Sequence, residues 1–187
     1  MDRSTDSEVL GTALAWLGVG DPVFLVTVAE TWGSSPRRPG ALMVIHADGR
    51  FGGSVSGGCV EDDLAQRVMR GEFDNGLPRL EKYGVRPEQS QKVGLPCGGR
   101  LSLVIERIDE AAQLQKVFDT LQARGQIARR VCLNTGETSL HPVQQEELLL
   151  FDGDSLVKVF GPRWRLLLIG AGELTRRVAQ LGLTLDY

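Results

Sequence analysis

The sequence predicts an α/β fold: an N-terminal α/β domain with a mixed sheet, followed by the first βα unit of a second, incomplete domain. Three observations predict it. Apolar runs of strand length, led by Val23–Ala29, alternate with segments whose apolar residues recur at helical spacing. Asp48-Gly49 stands between two strand-like runs and signals a hairpin. After Gly161-Pro162 the order is an aliphatic run, a glycine turn and a helical segment.

Taken in order, Val9, Ala13 and Trp16, with Leu10, Leu14 and Leu17, lie at helical spacing after the polar Ser4–Ser7 cap region. Gly18 and Gly20 end that helix. Asp21-Pro22 turns the chain into a buried strand at Val23–Ala29. A polar loop, TWGSSPRRPG over Thr31–Gly40, precedes the hairpin of Leu42–His46 and Arg50–Gly53. SGGCVEDDLAQRVMRG then reads as a helix. Val60, Leu64 and Val68 line one face, Glu61–Asp63 enrich the first turn, and Gly71 supplies the stop. A strand at Arg79–Tyr83, a polar connection ending in GLPCGGR and an alternating strand at Leu101–Glu106 come next. Asp109 is placed to cap a helix carrying Leu114, Val117, Phe118 and Leu121, which Gly125 closes. Ile127–Leu133, Glu147–Phe151 and Ser155–Phe160 read as further strands.

Gly161-Pro162 marks a boundary between a domain over residues 1–162 and a stretch over 163–187. In that stretch RWRLLLIGAGELTRRVAQLGLTLDY gives a strand, a glycine turn, a helix and the start of another strand. GAGELT, Gly170–Thr175, sits where a Rossmann-type dinucleotide turn sits, but Thr175 takes a position suited to Gly or Ala. The acidic residue expected about 20 positions on falls beyond Tyr187. One βα unit cannot bury both faces of a sheet, so this stretch is expected to be the truncated start of a Rossmann-type domain from a longer protein.

Composition narrows the function classes. With 42% hydrophobic and 24% charged residues among 187, the chain is neither fibrous nor disordered. A net charge of −3 leaves no electrostatic footprint for nucleic acid or an anionic membrane. The longest purely aliphatic run, Leu166–Ile169, is too short for a membrane span, and the N-terminus lacks the apolar stretch of a signal peptide. A cytoplasmic protein is expected. Its three cysteines, Cys59, Cys97 and Cys132, show no close pairing and read as free thiols.

Two of these thiols border glycine pairs. Cys59 follows Gly57-Gly58 in the first turn of a helix, where unpaired amides and the positive dipole end favour a thiolate. Glu61, Asp62 and Asp63 oppose that effect. Cys97 precedes Gly98-Gly99 in a PCGG loop, and Cys132, within an apolar strand, reads as core. GSSPRRPG and Gly52-Gly53-Ser54-Val55-Ser56 are built to present amides, hydroxyls and guanidinium groups, the makings of an oxyanion nest. The candidate binding set is Arg37, Ser54, Ser56, Gly57, Gly58, Cys59, Cys97, Gly98 and Gly99. His46 and His141 read as surface residues, and no CxxC or HxxxH spacing supports a structural metal site.

TWGSSPRRPGALMVIHADGRFGGSVSGGCVEDDL, followed by GLPCGGRLSLVIE, closely resembles the XdhC/CoxI family, accessory proteins of xanthine dehydrogenase and related molybdenum hydroxylases. The blocks cover residues 31–64 and 94–106, and GAGELT matches the start of the family's Rossmann half. The chain departs at Arg38, where proline is common, and at Thr175. The resemblance implies a chaperone that binds molybdenum cofactor, protects it, supports its sulfuration with a cysteine desulfurase and inserts it into an apo molybdenum hydroxylase. It also implies homo-oligomers and a nucleotide at the complete Rossmann domain. Cys59 and Cys97 would ligate molybdenum or relay sulfur, which family membership does not decide. Two other readings stand beside it: an NAD(P)-dependent oxidoreductase using GAGELT, and a thiol-based sulfur-transfer enzyme using the two cysteines.

Overall fold

The computed structural model describes residues 6–33, 37–84, 99–144, 147–162 and 166–184. Its elements are α1 (Asp6–Leu17), β1 (Val23–Trp32), β2 (Leu42–His46), β3 (Phe51–Gly53), α2 (Cys59–Met69), β4 (Arg79–Tyr83) and β5 (Arg100–Ile108). After these come α3 (Ala112–Gln122), β6 (Ile127–Cys132), β7 (Thr138–His141), β8 (Leu149–Phe151), β9 (Ser155–Phe160) and α4 (Glu173–Thr184). The strands form two sheets, ordered β3-β2-β1-β5-β4 and β7-β6-β9-β8.

The class is mixed α and β, as expected, but the described pairs are antiparallel throughout. Two antiparallel sheets therefore stand where one mixed sheet was expected. Between β2 and β3 the connection is a tight turn closed by His46 and Arg50, which reverses the chain and leaves no room for the crossover a parallel pair needs.

The apolar run at the start of β1 is buried on both faces because it is the middle strand of the larger sheet. Phe24, Val26 and Val28 meet Val60, Leu64, Ala65 and Val68 of α2 on one face. Val23 and Leu25 meet Val9, Leu10 and Ala13 of α1 and Leu114 and Val117 of α3 on the other. Each large side chain buried this way contributes about 1.5–3 kcal/mol. Farther along the sheet, Ala29 and Val104 pack against Val131 and Leu156 of the second sheet. Beside them Arg129 grips buried Glu106 through two hydrogen bonds, at 3.0 and 2.8 Å.

Several local expectations are corrected. Asp109 does not cap α3: its carboxylate takes Arg107, and the helix begins after Ala111 with no side-chain cap. β7 adds a short polar edge strand that no hydrophobic alternation announced. The aliphatic run at 166–169 forms no strand, and neither sheet supplies a neighbour to accept its hydrogen bonds. Leu167 and Ile169 are exposed there. The helix after the glycine turn is present as α4, while the strand expected to begin after it lies outside the described residues. Among the described residues no helix is long and apolar enough to cross a membrane.

Candidate functional site

Strand polarity gathers the sequence motifs at one end of the larger sheet. β1 finishes there at Trp32 opposite Arg100, the first residue of β5. β4 finishes at Tyr83 opposite Leu101, and β3 finishes at Gly53 opposite Met43 near the start of β2. The loop rich in arginine after β1, the SVSGG loop after β3 and the connection after β4 all leave from this end. Cys97 and Gly98 lie outside the described residues, as do residues 34–36. The roots of the PCGG connection are described. Gly99 is buried, and Gly84, at φ +78°, lies so close that a Cβ would strike the Gly99 carbonyl oxygen.

The SVSGG loop wraps around one carboxylate. Glu61, at the third position of α2 and 2% exposed, accepts six hydrogen bonds from it. Oε1 takes the amides of Val55, Ser56 and Gly57 at 2.9, 2.7 and 2.9 Å and the Ser54 hydroxyl at 2.8 Å. Oε2 takes the Gly58 amide at 2.8 Å and the Ser56 hydroxyl. Burial pushes the Glu61 pKa up, but the Ser56 hydroxyl and the amides of Ser56, Gly57 and Gly58 overcome it, so that it settles at about 2. The amides expected to meet an external oxyanion therefore meet Glu61. Half of the signal was in the sequence: a Glu three residues after the N-cap position is placed to reach back to the N-cap amide, as Glu61 does to Gly58, and this outweighs its role as a negative neighbour of Cys59.

Around this hub the other predicted residues are arranged unevenly. Gly57 and Gly58 are exposed and have open space where a side chain would project. Cys59 is the first residue of α2. Arg37 is half-buried and donates from Nε to the Ser54 hydroxyl at 3.3 Å, linking its loop to Glu61 through Ser54, and Arg38 is exposed beside it. Lys158, buried on β9, donates to the Gly40 carbonyl and pairs with Asp6, both at 2.8 Å, anchoring the same loop from the second sheet.

A second network holds α2 against β4. The Tyr83 hydroxyl donates to Asp63 at 2.7 Å, while Arg67 donates to that hydroxyl at 3.2 Å and to Glu81 and Glu72. Burial and the Asp63 carboxylate push the Tyr83 pKa upward, so the phenol stays protonated and serves as a strut. The helix carrying Cys59 is thus pinned to the strand from which the PCGG connection departs.

The remaining candidates lie elsewhere. Cys132 ends β6 in a half-exposed position instead of the core, and hydrogen bonds from the Thr135 hydroxyl and the Thr135 and Asn134 amides lower its thiol pKa. His46 is buried, not superficial. It packs edge-on to Trp16, and Asp21 approaches its Nε2 at 3.1 Å. His141 is exposed, as expected. Among the described residues no three His, Cys, Asp or Glu side chains form a metal-holding group.

The profile of the XdhC and CoxI family matches residues 16–84. The chain is 35% identical over 135 residues to the molybdenum cofactor insertion chaperone PaoD of Escherichia coli, covering 68% of this chain and 42% of that protein. It is 35% identical over 103 residues to a protein of Bacillus subtilis described as a probable subunit of xanthine dehydrogenase, covering 53% and 31%. A crystal structure described as a xanthine dehydrogenase from Bacillus halodurans superimposes with a TM-score of 0.70 at 25% identity, over 98% of this chain and 60% of that one. The chain is thus similar to the XdhC and CoxI family over its N-terminal part and to two relatives beyond it. It spans less than half the length of both curated relatives.

Proposed function

We propose that this chain binds molybdenum cofactor at the loop-bearing end of its larger sheet and delivers it to a molybdenum hydroxylase of the xanthine dehydrogenase type. The observation that carries the reading is the departure of all three motif loops from that one end, in a chain related to a molybdenum cofactor insertion chaperone. The cargo is a pterin dithiolene with a phosphate and an oxyanionic metal, so its recognition needs cationic donors, open backbone and soft ligands. Arg37 and Arg38 supply the first and the outward face of Gly57-Gly58 the second. Cys59 and Cys97 supply thiols suited to a sulfur-bound metal. Ser54 and Ser56 support the loop by donating to Glu61, and Gly98-Gly99, next to Cys97 in sequence, completes the proposed set. Sulfuration of the cargo with a cysteine desulfurase, self-association and a nucleotide at a complete Rossmann-type domain are finer parts of the same proposal.

The test is anaerobic incubation with molybdenum cofactor, followed by desalting and measurement of retained molybdenum. Wild type is expected to retain it, and Cys59→Ala and Cys97→Ala to lose on the order of tenfold in affinity. Negligible retention by wild type would sink the reading. Undiminished retention by both variants would leave binding but remove the cysteines as ligands.

A further inference from the structure

We propose that Glu61 is a positioning residue, whose carboxylate permanently fills the oxyanion nest of residues 54–58 and so forces the cargo onto the opposite, glycine face of that loop. The inference deepens the proposed function and rests on it for the identity of the cargo. The occupancy of the nest stands on the geometry alone.

Four consecutive amides, of Val55, Ser56, Gly57 and Gly58, converge on Glu61 together with the hydroxyls of Ser54 and Ser56. Converging amides of this kind are an anion site by construction. Here the anion comes from the protein itself, three residues into the helix that the loop precedes. With Glu61 only 2% exposed and all six donors satisfied, no phosphate or molybdenum oxyanion can enter without expelling it. Turning the amides inward sets the other side of the loop. Gly57 takes φ +94°, a backbone region that disfavours side chains, and both it and Gly58 face open space. Arg37 is fixed to the same hub through the Ser54 hydroxyl. One carboxylate thus sets three things: the shape of the loop, the start of the helix at Cys59, and the placement of the neighbouring guanidinium.

The test is chemical rescue. Glu61→Ala empties the nest while leaving its donors, so sodium formate is expected to raise the melting temperature of this variant. Sodium chloride at equal ionic strength should not, and wild type should respond to neither salt. Amide resonances of residues 55–58 should shift with formate in the variant only. Molybdenum cofactor retention should fall on the order of tenfold in Glu61→Ala and recover with formate. Glu61→Gln, similar in size, keeps the volume but points an NH2 group at donors, so it should fold and retain cargo poorly.

A melting temperature for Glu61→Ala that formate raises no more than chloride does would overturn the filled nest. Wild-type retention by Glu61→Gln would overturn the positioning role, and would do so even if the alanine variant failed to fold. If wild type retains no molybdenum, the proposed function fails, and the formate-dependent melting still decides the nest.

Discussion

The larger sheet buries a carboxylate near each end, and the two are held by opposite means. Glu61 and Glu106 are both 2% exposed. Glu61 is satisfied by neutral donors, four amides and two hydroxyls of a single loop. Glu106 is satisfied by a full charge, the Arg129 guanidinium of the second sheet. The first arrangement is local and fixes the backbone of one loop. The second is long-range and fixes how two sheets meet. A ligand-facing loop must hold its own shape, whereas a sheet junction needs a tie between distant segments. Each carboxylate matches the task of its surroundings.

The sharpest way to break the comparison is to remove one partner of the charged pair. Glu106→Ala leaves the Arg129 cation buried without a counter-charge and is expected to cost about 3–5 kcal/mol, read from urea unfolding. Protonation should separate the two further. The Glu61 pKa is about 2 in the folded protein against an ordinary 4.5, so the stability it contributes is complete above about pH 4.5. That stability is lost as pH falls through about 2, with an amplitude of about 3 kcal/mol. Melting profiles of wild type and Glu61→Gln should therefore converge as pH is lowered across that window, and a constant gap would contradict the hydrogen-bond account. A smaller effect is expected for Gly84→Ala, where a Cβ at positive φ meets the Gly99 carbonyl oxygen. Strain there should cost about 1–3 kcal/mol and loosen the root of the PCGG connection, read as faster amide exchange at Arg100 and Leu101. The smallest effect belongs to the solvent-exposed carboxylate of α4. Glu173 pairs with Arg176 and Arg177 in open water, so Glu173→Gln should leave the melting temperature unchanged.

Legibility followed the range of the interactions. The hairpin at Asp48-Gly49 and the helix after Cys59 were readable because turn chemistry and helical spacing are written in neighbouring residues. Glu61 was equally local and still misread, since its charge beside Cys59 masks its capping position. His46 could not be placed from its neighbours, because its burial depends on Trp16 and Asp21, some 30 and 25 residues away in sequence. Asp109 had the right residue type for a cap, but Arg107 two residues before it competed successfully for the carboxylate. Nor does β7 carry a pattern, as its four residues become a strand only by pairing with β6. At the far end, residues 166–169 have the composition of a strand without the neighbour that would make them one.

By itself the sequence determined the α and β character, most element positions and the family resemblance, because periodicity, turn residues and the SGGC and PCGG blocks are properties of adjacent residues. Only the tertiary structure decided that the motif loops depart from one sheet end, that two antiparallel sheets replace a mixed one, and that the amide nest is already filled. Those outcomes depend on strand pairing and on which face each buried carboxylate finds, and both are settled by contacts between segments distant in the chain.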